Sequence, residues 1–144
     1  MEYFAYPAAV TEAGPEDFVA SFRDISEAIT GGSTRAEALT NAGDALAAAV
    51  EGYLEQRKAP PHASPTEAGE TLVPLEVSVA ARVLLLVRME RDGLSGRALA
   101  ARLGKSETAV RRMLSGKAAS LEQVLGALRE LGERPVLVSL AEAA

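Results

Sequence analysis

An α+β chain is predicted, in which an N-terminal β-β-β-α-β unit is followed by an all-helical module. Short β-prone runs precede one long helical pattern in the first part, and every periodic segment beyond Val79 has helical spacing. The charge also changes sign along the chain. Residues 1–78 hold four lysines and arginines against thirteen aspartates and glutamates, a net of −9, whereas residues 79–144 hold eleven against seven, a net of +4, within a total of −5. Such asymmetry points to two modules with different partners. The predicted domains are an acidic one over 1–78, with a Pro-rich loop or linker at 58–71, and a basic one over 79–144.

The first element is YFAYPAAV, aromatic and β-compatible, with Pro7 arguing for an edge strand or a bulge. A turn is expected at Glu12–Glu16 (EAGPE). DFVASF then places Phe18, Ala20 and Phe22 on one face, the period of a half-buried strand, so a hairpin is the economical connection. ISEAIT, residues 25–30, reads as a third short strand stopped by Gly31 and Gly32. A helix opens next, since Thr34 and Glu37 have the T-x-x-E spacing of a capping box. Leu39, Ala42, Leu46, Val50, Tyr53 and Leu54 then form a stripe on a helix of about six turns. KAPPHASPTEAGET concentrates prolines and small polar residues and reads as a loop. LVPLEVS resembles a strand returning to the sheet, with Pro74 confining it to an edge or an end. Four helical segments follow, VAARVLLLVRMER, LSGRALAARLG, SETAVRRMLSG and SLEQVLGALRELG. The closing PVLVSL is a short β-prone run able to pair with another strand, its own or a symmetry mate's.

The chain has no cysteine, which removes disulfides and thiolate chemistry and suits a reducing compartment. The N-terminus has no basic region leading into an apolar one, and the longest strongly apolar run, VLLLV at 83–87, is far short of the roughly 20 residues that cross a bilayer. A cytoplasmic protein with no membrane association and no cofactor is expected.

The most specific motif is SGRALAARLGKSETAVRRML. Leu99, Ala100, Leu103, Gly104, Val110 and Met113 stand where two helices are held together across a tight turn. Gly104 can take the positive φ of that turn, and Ser106 is a natural N-cap. The spacing matches a helix-turn-helix of the phage-repressor type, apart from Lys105 in a position usually apolar. Thr108, Arg111 and Arg112 occupy outward positions on the second helix, where they can reach base edges or phosphates. From Leu94 to Lys117 there are six basic residues, Arg97, Arg102, Lys105, Arg111, Arg112 and Lys117, and one acidic, Glu107. The candidate DNA-binding set is therefore Arg97, Lys105, Ser106, Thr108, Arg111, Arg112 and Lys117, with Arg97 and Lys117 assigned to the backbone. The bland alternative is a helical packing module with a solvated basic face.

Other chemistries are weaker. Asp17, Asp24, Glu27 and Asp44 would have to converge to hold Mg²⁺ for phosphoryl chemistry, and their placement on turns and on a solvated helix face argues against it. His62 is the single histidine and has no second histidine or cysteine to share a metal. No G-x-S-x-G elbow is present, and Gly31-Gly32 lacks the remainder of a phosphate-binding loop. No catalytic residue or metal site is assigned.

Taken in order, YPA, FRDISEAITGG, the helix opening T-x-x-E-A-L, the loop APPHASP and VPLEVSVAARVLLL resemble the HicB-type antitoxins with a C-terminal helix-turn-helix. The resemblance covers nearly the whole chain. It implies a partial RNase H-like fold for the N-terminal unit, which in that family binds and blocks HicA, a small basic toxin that cleaves mRNA. It also implies that the C-terminal domain binds the operon's own operator. At least a homodimer is expected, because helix-turn-helix domains usually read two half-sites about one DNA turn apart. Asp17, Asp24, Glu27 and Thr30 are the candidate toxin-binding residues. Arg23 and Gly32 depart from the family pattern, standing where an apolar or proline residue and a polar residue are usual. The alternative is a transcription regulator whose N-terminal domain senses a small molecule.

Overall fold

Strand β1 (Ala5–Gly14) turns back directly into β2 (Asp17–Phe22), the hairpin expected from alternating apolar residues on either side of a turn. In the computed structural model, which describes residues 4–116 and 119–141, they are followed by β3 (Ile29–Gly32), α1 (Arg35–Glu55), β4 (Glu70–Pro74), α2 (Val77–Arg91), α3 (Gly96–Leu103), α4 (Glu107–Ser115) and α5 (Leu121–Glu130). The chain divides into two compact units, Met1–Ala80 and Ala81–Ala144.

In the first unit the sheet has the order β3-β2-β1-β4 and is antiparallel throughout. Ala8 opposes Phe22, Val10 opposes Ala20 and Tyr6 opposes Val73, so these side chains share one face. Helix α1 lies against all four strands. Its buried residues are Ala38, Ala42, Leu46, Val50 and Leu54, and they meet Tyr6, Ala8, Ala20, Phe22 and Val73. The predicted stripe is offset by one position at its start, because Ala38, not Leu39, faces the sheet, and Tyr53 at its far end is only half-buried. Strand and helix approach closely at this end, where a Cβ added to Gly32 would lie 2.6 Å from the Ala38 amide nitrogen. A side chain at position 32 would therefore meet the helix backbone.

Several boundaries differ from the sequence expectation. The predicted third strand at 25–30 begins only at Ile29, since residues before it form a turn in which the Ala28 amide donates to the Ile25 carbonyl at 3.0 Å. Ile25 is fully buried there, so its apolar side chain plugs the core from a turn. Strand β1 continues to Gly14 through an irregularity between Glu12 and Gly14, where a turn was expected. Pro7 lies in an interior strand and not at an edge. It is tolerated because the pairing with β2 ends at Ala8, leaving Pro7 opposite Leu72 of β4 alone. Pro74 does stand at the end of an edge strand. Thr34 caps α1, its hydroxyl accepting from the Glu37 amide at 3.0 Å, but the Glu37 carboxylate turns to the amide and hydroxyl of Ser33 in place of Thr34.

In the second unit the short helices are separated by marked stops and starts. Gly104 ends α3 with φ 64°, and the Lys105 amide closes the turn onto the Ala100 carbonyl at 2.9 Å. Ser106 opens α4 by accepting from the Ala109 amide at 3.1 Å. Ser120 and Gln123 cap α5 reciprocally, a capping box not foreseen in the sequence. Ser120→Ala is expected to lower the unfolding free energy of this unit by about 1 kcal/mol, measured by urea titration. The core comprises Val83, Leu85, Leu86, Met89, Leu99, Ala100, Val110, Met113, Leu114, Val124, Ala127, Leu128 and Leu131. Leu103, assigned above to the helix contact, is only half-buried. Residues 133–141, which contain the β-prone run, form no strand with the rest of their own chain.

Candidate functional site

Helices α3 and α4 hold the basic candidates at their surface. On α4, Val110, Met113 and Leu114 point inward, so Thr108, Arg111 and Arg112, spaced by three and four, share the opposite, solvent-facing side. Lys105 and Ser106 are exposed in the turn just before that helix. Among the described residues no carboxylate pairs with Lys105, Arg111 or Arg112. Arg97 stands 3.6 Å from Glu107 in an exposed contact that solvent screens. Lys117 lies outside the described residues.

Several other cations of this unit are engaged. Arg88 bridges Asp92 and Glu133 at 2.7 Å each, with Arg91 joining Glu133 at 3.1 Å. The hydrogen bond to Arg88 is the main cause holding Asp92 below the usual carboxylate range. Arg102 donates to the Glu130 carbonyl. Arg82 is buried, and its guanidinium lies where a Cβ on Gly116 would fall. Among the described residues Lys105, Arg111 and Arg112, on α4 and the turn before it, are exposed without a carboxylate partner, as are Arg129 at the end of α5 and Arg134 beyond it.

In the acidic unit the four candidates do not form one patch. Asp17 begins β2 beside the hairpin turn, whereas Asp24 and Glu27 follow the other end of that strand, between Phe22 and β3. Thr30 is half-buried in β3, opposite Ala20. Asp24 is committed internally, its carboxylate accepting from the Ser64 amide at 2.8 Å and the Ser64 hydroxyl at 2.6 Å. Glu27 accepts from the Tyr53 hydroxyl at 2.9 Å while staying exposed. Asp44 is exposed on α1, and among the described residues no three acidic or histidine side chains gather as metal ligands. His62 is exposed in the loop.

The Asp24–Ser64 contact belongs to a clamp that sequence spacing did not reveal. Arg23 forms a bidentate pair with Glu70 at 2.7 and 3.1 Å and also donates to the Pro65 carbonyl. Glu70 in turn accepts from the Glu67 amide at 2.7 Å. Tyr6 donates its hydroxyl to the Pro61 carbonyl at 2.8 Å, and burial, with the charge of Asp24 and the neighbouring Tyr53, pushes its pKa up to about 12. The Pro-rich segment is therefore fastened to the end of the sheet at Pro61, Ser64 and Pro65. Arg23 reaches it at Pro65, beside the contacts made by Tyr6 and Asp24.

The clamp depends on ionised carboxylates. Partial burial works to raise the pKa of Asp24, but the two Ser64 hydrogen bonds and Arg23 outweigh it and hold the group below its ordinary value. Glu70 is lowered chiefly by its hydrogen bond to Arg23. A depressed folded pKa contributes stability that is present above the unfolded value and lost as pH falls through the folded one. Hydrogen exchange of the Ser64 amide should therefore be slow, relative to its intrinsic rate, above about pH 4 and lose protection progressively below it. Asp24→Asn should weaken protection at neutral pH. Equal protection in both proteins would exclude Asp24 as the anchor.

The HicB_like antitoxin of bacterial toxin-antitoxin system model matches residues 5–84. Antitoxin HicB 2 of Photorhabdus laumondii subsp. laumondii is 39% identical over 120 residues, covering 83% of this chain and 85% of that protein. Antitoxin HicB of Escherichia coli K12 is 34% identical over 134 residues, covering 92% of this chain and 97% of its own length. Among the described residues no helix is long and apolar enough to cross a membrane. With the family match spanning the sheet, α1, the clamped loop and the start of α2, and the relatives extending over most of the remainder, the chain belongs to the HicB-like antitoxins of bacterial toxin–antitoxin systems.

Proposed function

We propose that the chain neutralises a small basic toxin of the HicA type through its N-terminal unit, read as a partial RNase H-like fold, and represses its own operon through α3 and α4, read as a helix-turn-helix. The observation that carries this reading is the division of charge. The N-terminal part holds an excess of carboxylates suited to a cationic partner, and the solvent-facing side of α4 holds arginines without carboxylate partners. Asp17 and Glu27 are the carboxylates best placed for the toxin, with Thr30 beside Glu27 at the sheet edge. Asp24 acts instead by holding the loop. On the DNA side Thr108, Arg111 and Arg112 face the major groove, the Ser106 cap orients the helix, and Arg97, Lys105 and Lys117 contact phosphates. Operator binding by at least two copies suits half-sites about one DNA turn apart.

Co-expression with the neighbouring small basic reading frame tests the toxin arm. The two proteins should co-purify and growth arrest should be relieved; no complex and no relief would end this reading. For the operator arm, Arg111→Ala and Arg112→Ala should each weaken specific binding by about 1–3 kcal/mol in a fluorescence-anisotropy titration. Arg97→Ala should weaken binding to specific and random DNA alike, with a salt slope shallower by about 1. Unchanged affinity in the α4 variants would remove them from the DNA interface.

A further inference from the structure

Among the described residues Arg82 is the one charged or polar side chain that is buried, at 6% exposure. It stands in α2 on the stripe that also carries Leu85, Leu86 and Met89, where helical spacing asks for an apolar residue. Its guanidinium reaches the end of another helix. The atoms nearest to a Cβ added at Gly116 are Nη1, Cζ and Nη2 of Arg82, so close that the two could not coexist unmoved. Gly116 is the residue that ends α4, at φ 74°.

That helix end differs from its neighbours. The cap amide of α3, on Gly104, donates to the Ala100 and Ala101 carbonyls, and that of α5, on Leu131, donates to the Ala127 and Leu128 carbonyls. Among the described residues the Gly116 amide makes no such bond back into α4. The last carbonyls of a helix carry the negative end of its dipole, and they need donors from outside where the backbone supplies too few. A guanidinium, planar, always charged and bearing a fork of N–H donors, suits that position.

We propose that Arg82 is a positioning residue for the reading of DNA: it pins the last turn of α4 to α2 and so fixes the direction in which Arg111 and Arg112 leave the helix. The proposal rests on the reading of α3 and α4 as a helix-turn-helix that binds the operator. It accounts for a charge kept within an apolar stripe. Burying a guanidinium costs free energy that an apolar residue of similar volume does not, so stability alone is a poor reason to retain it. Placement is a better one. Helix α4 has only nine residues, held at its start by Ser106, and Arg112 lies in its last turn. Base-edge contacts tolerate little displacement of the side chains that make them. Glycine at 116 belongs to the same device, because any side chain there would displace the guanidinium.

Arg82→Met, similar in length and without charge, tests the pin in the full chain. It should lower operator affinity at least about fivefold, the loss of one base contact. Affinity for random DNA and the salt slope should stay at wild-type values, since a buried side chain neutralises no phosphate. The melting temperature should fall by no more than about 5 °C. Hydrogen exchange of the Arg111–Ser115 amides should quicken while that of α3 and α5 is unchanged, a readout that needs no DNA. Arg82→Lys, which keeps the charge, should recover most of the operator affinity. In a double-mutant cycle Gly116→Ala should cost less binding in the Arg82→Met background than in the parent, because the clash with the guanidinium is gone. Wild-type operator affinity in Arg82→Met would overturn this proposal alone and leave the helix-turn-helix reading intact. Equal losses on operator and random DNA with a shallower salt slope would make Arg82 a phosphate contact, and protection lost throughout the unit with a large fall in melting temperature would make it a residue of the core; either refutes the pin. A wild type that did not distinguish operator from random DNA would end the helix-turn-helix reading and this proposal with it.

Discussion

Leu114→Ala is expected to abolish the proposed operator binding near physiological temperature while leaving the proposed toxin capture intact. Leu114 is fully buried on α4, next to Met113 on the inward side of the helix that carries Arg111 and Arg112. Truncating a leucine in a packed core costs about 2–5 kcal/mol, the lost transfer energy adding to that of the cavity left behind. A domain this small has only about 3–10 kcal/mol to lose, at roughly 0.05–0.15 kcal/mol per residue, so the fall in melting temperature should be of order 10–30 °C. None of the side chains fastening the Pro-rich loop lies in this unit. Circular dichroism melting, anisotropy with operator DNA and a toxin pull-down on one preparation separate the effects. Loss of operator binding and toxin capture together would show that the units do not fold independently.

Gly32→Ala should destabilise the N-terminal unit by about 1–3 kcal/mol or more, because the new methyl has no room between β3 and the first turn of α1. Its nearest neighbours are the Ala38 amide nitrogen at 2.6 Å and the Glu37 carbonyl carbon at 3.0 Å, backbone atoms that can yield only if the helix shifts. The same substitution at Gly43 should act in the opposite direction. Gly43 lies inside α1 with nothing within 4 Å of an added Cβ, so alanine there should stabilise by about 0.5–1 kcal/mol. Urea midpoints of the two variants against the parent measure both signs. If Gly32→Ala and Gly43→Ala moved the midpoint alike, the close approach of strand and helix would not be a determinant of stability.

The steric conflict at position 32 supplies the physical reason for glycine there. What could be read from residues alone was local. Thr34 and Ser106 lie next to the amides they cap, the helical segments showed their own periods, and the β1–β2 hairpin joins neighbours in sequence. The missed features depend on contacts between distant residues. Ile25 has the composition of a strand residue, but its place is set by the core it plugs. Pro7 is compatible with an interior strand because β2 ends one position away, a fact of register. The site follows the same rule. The outward side of α4 follows from helical spacing, whereas the engagement of Asp24 depends on Ser64, forty residues later in the chain. No periodicity could have joined them.

The position of β4 has a consequence for the chain while it is being made. Strands β1, β2 and β3 are complete by Gly32, and their pairings span short stretches of sequence, but the far side of β1 is covered only by Glu70–Pro74. At a synthesis rate of about 5–20 residues per second, that edge is left open for roughly 2–8 s in every nascent chain. During that interval the backbone groups of β1 that later meet β4 face solvent or whatever strand is nearby. Closure must also bring Ala5 to Pro74 across α1 and the Pro-rich segment, a long circuit whose entropy is lost before the pairing can return it. The completed sheet therefore forms after translation has passed Pro74, and synthesis sets the earliest moment at which the N-terminal unit is whole.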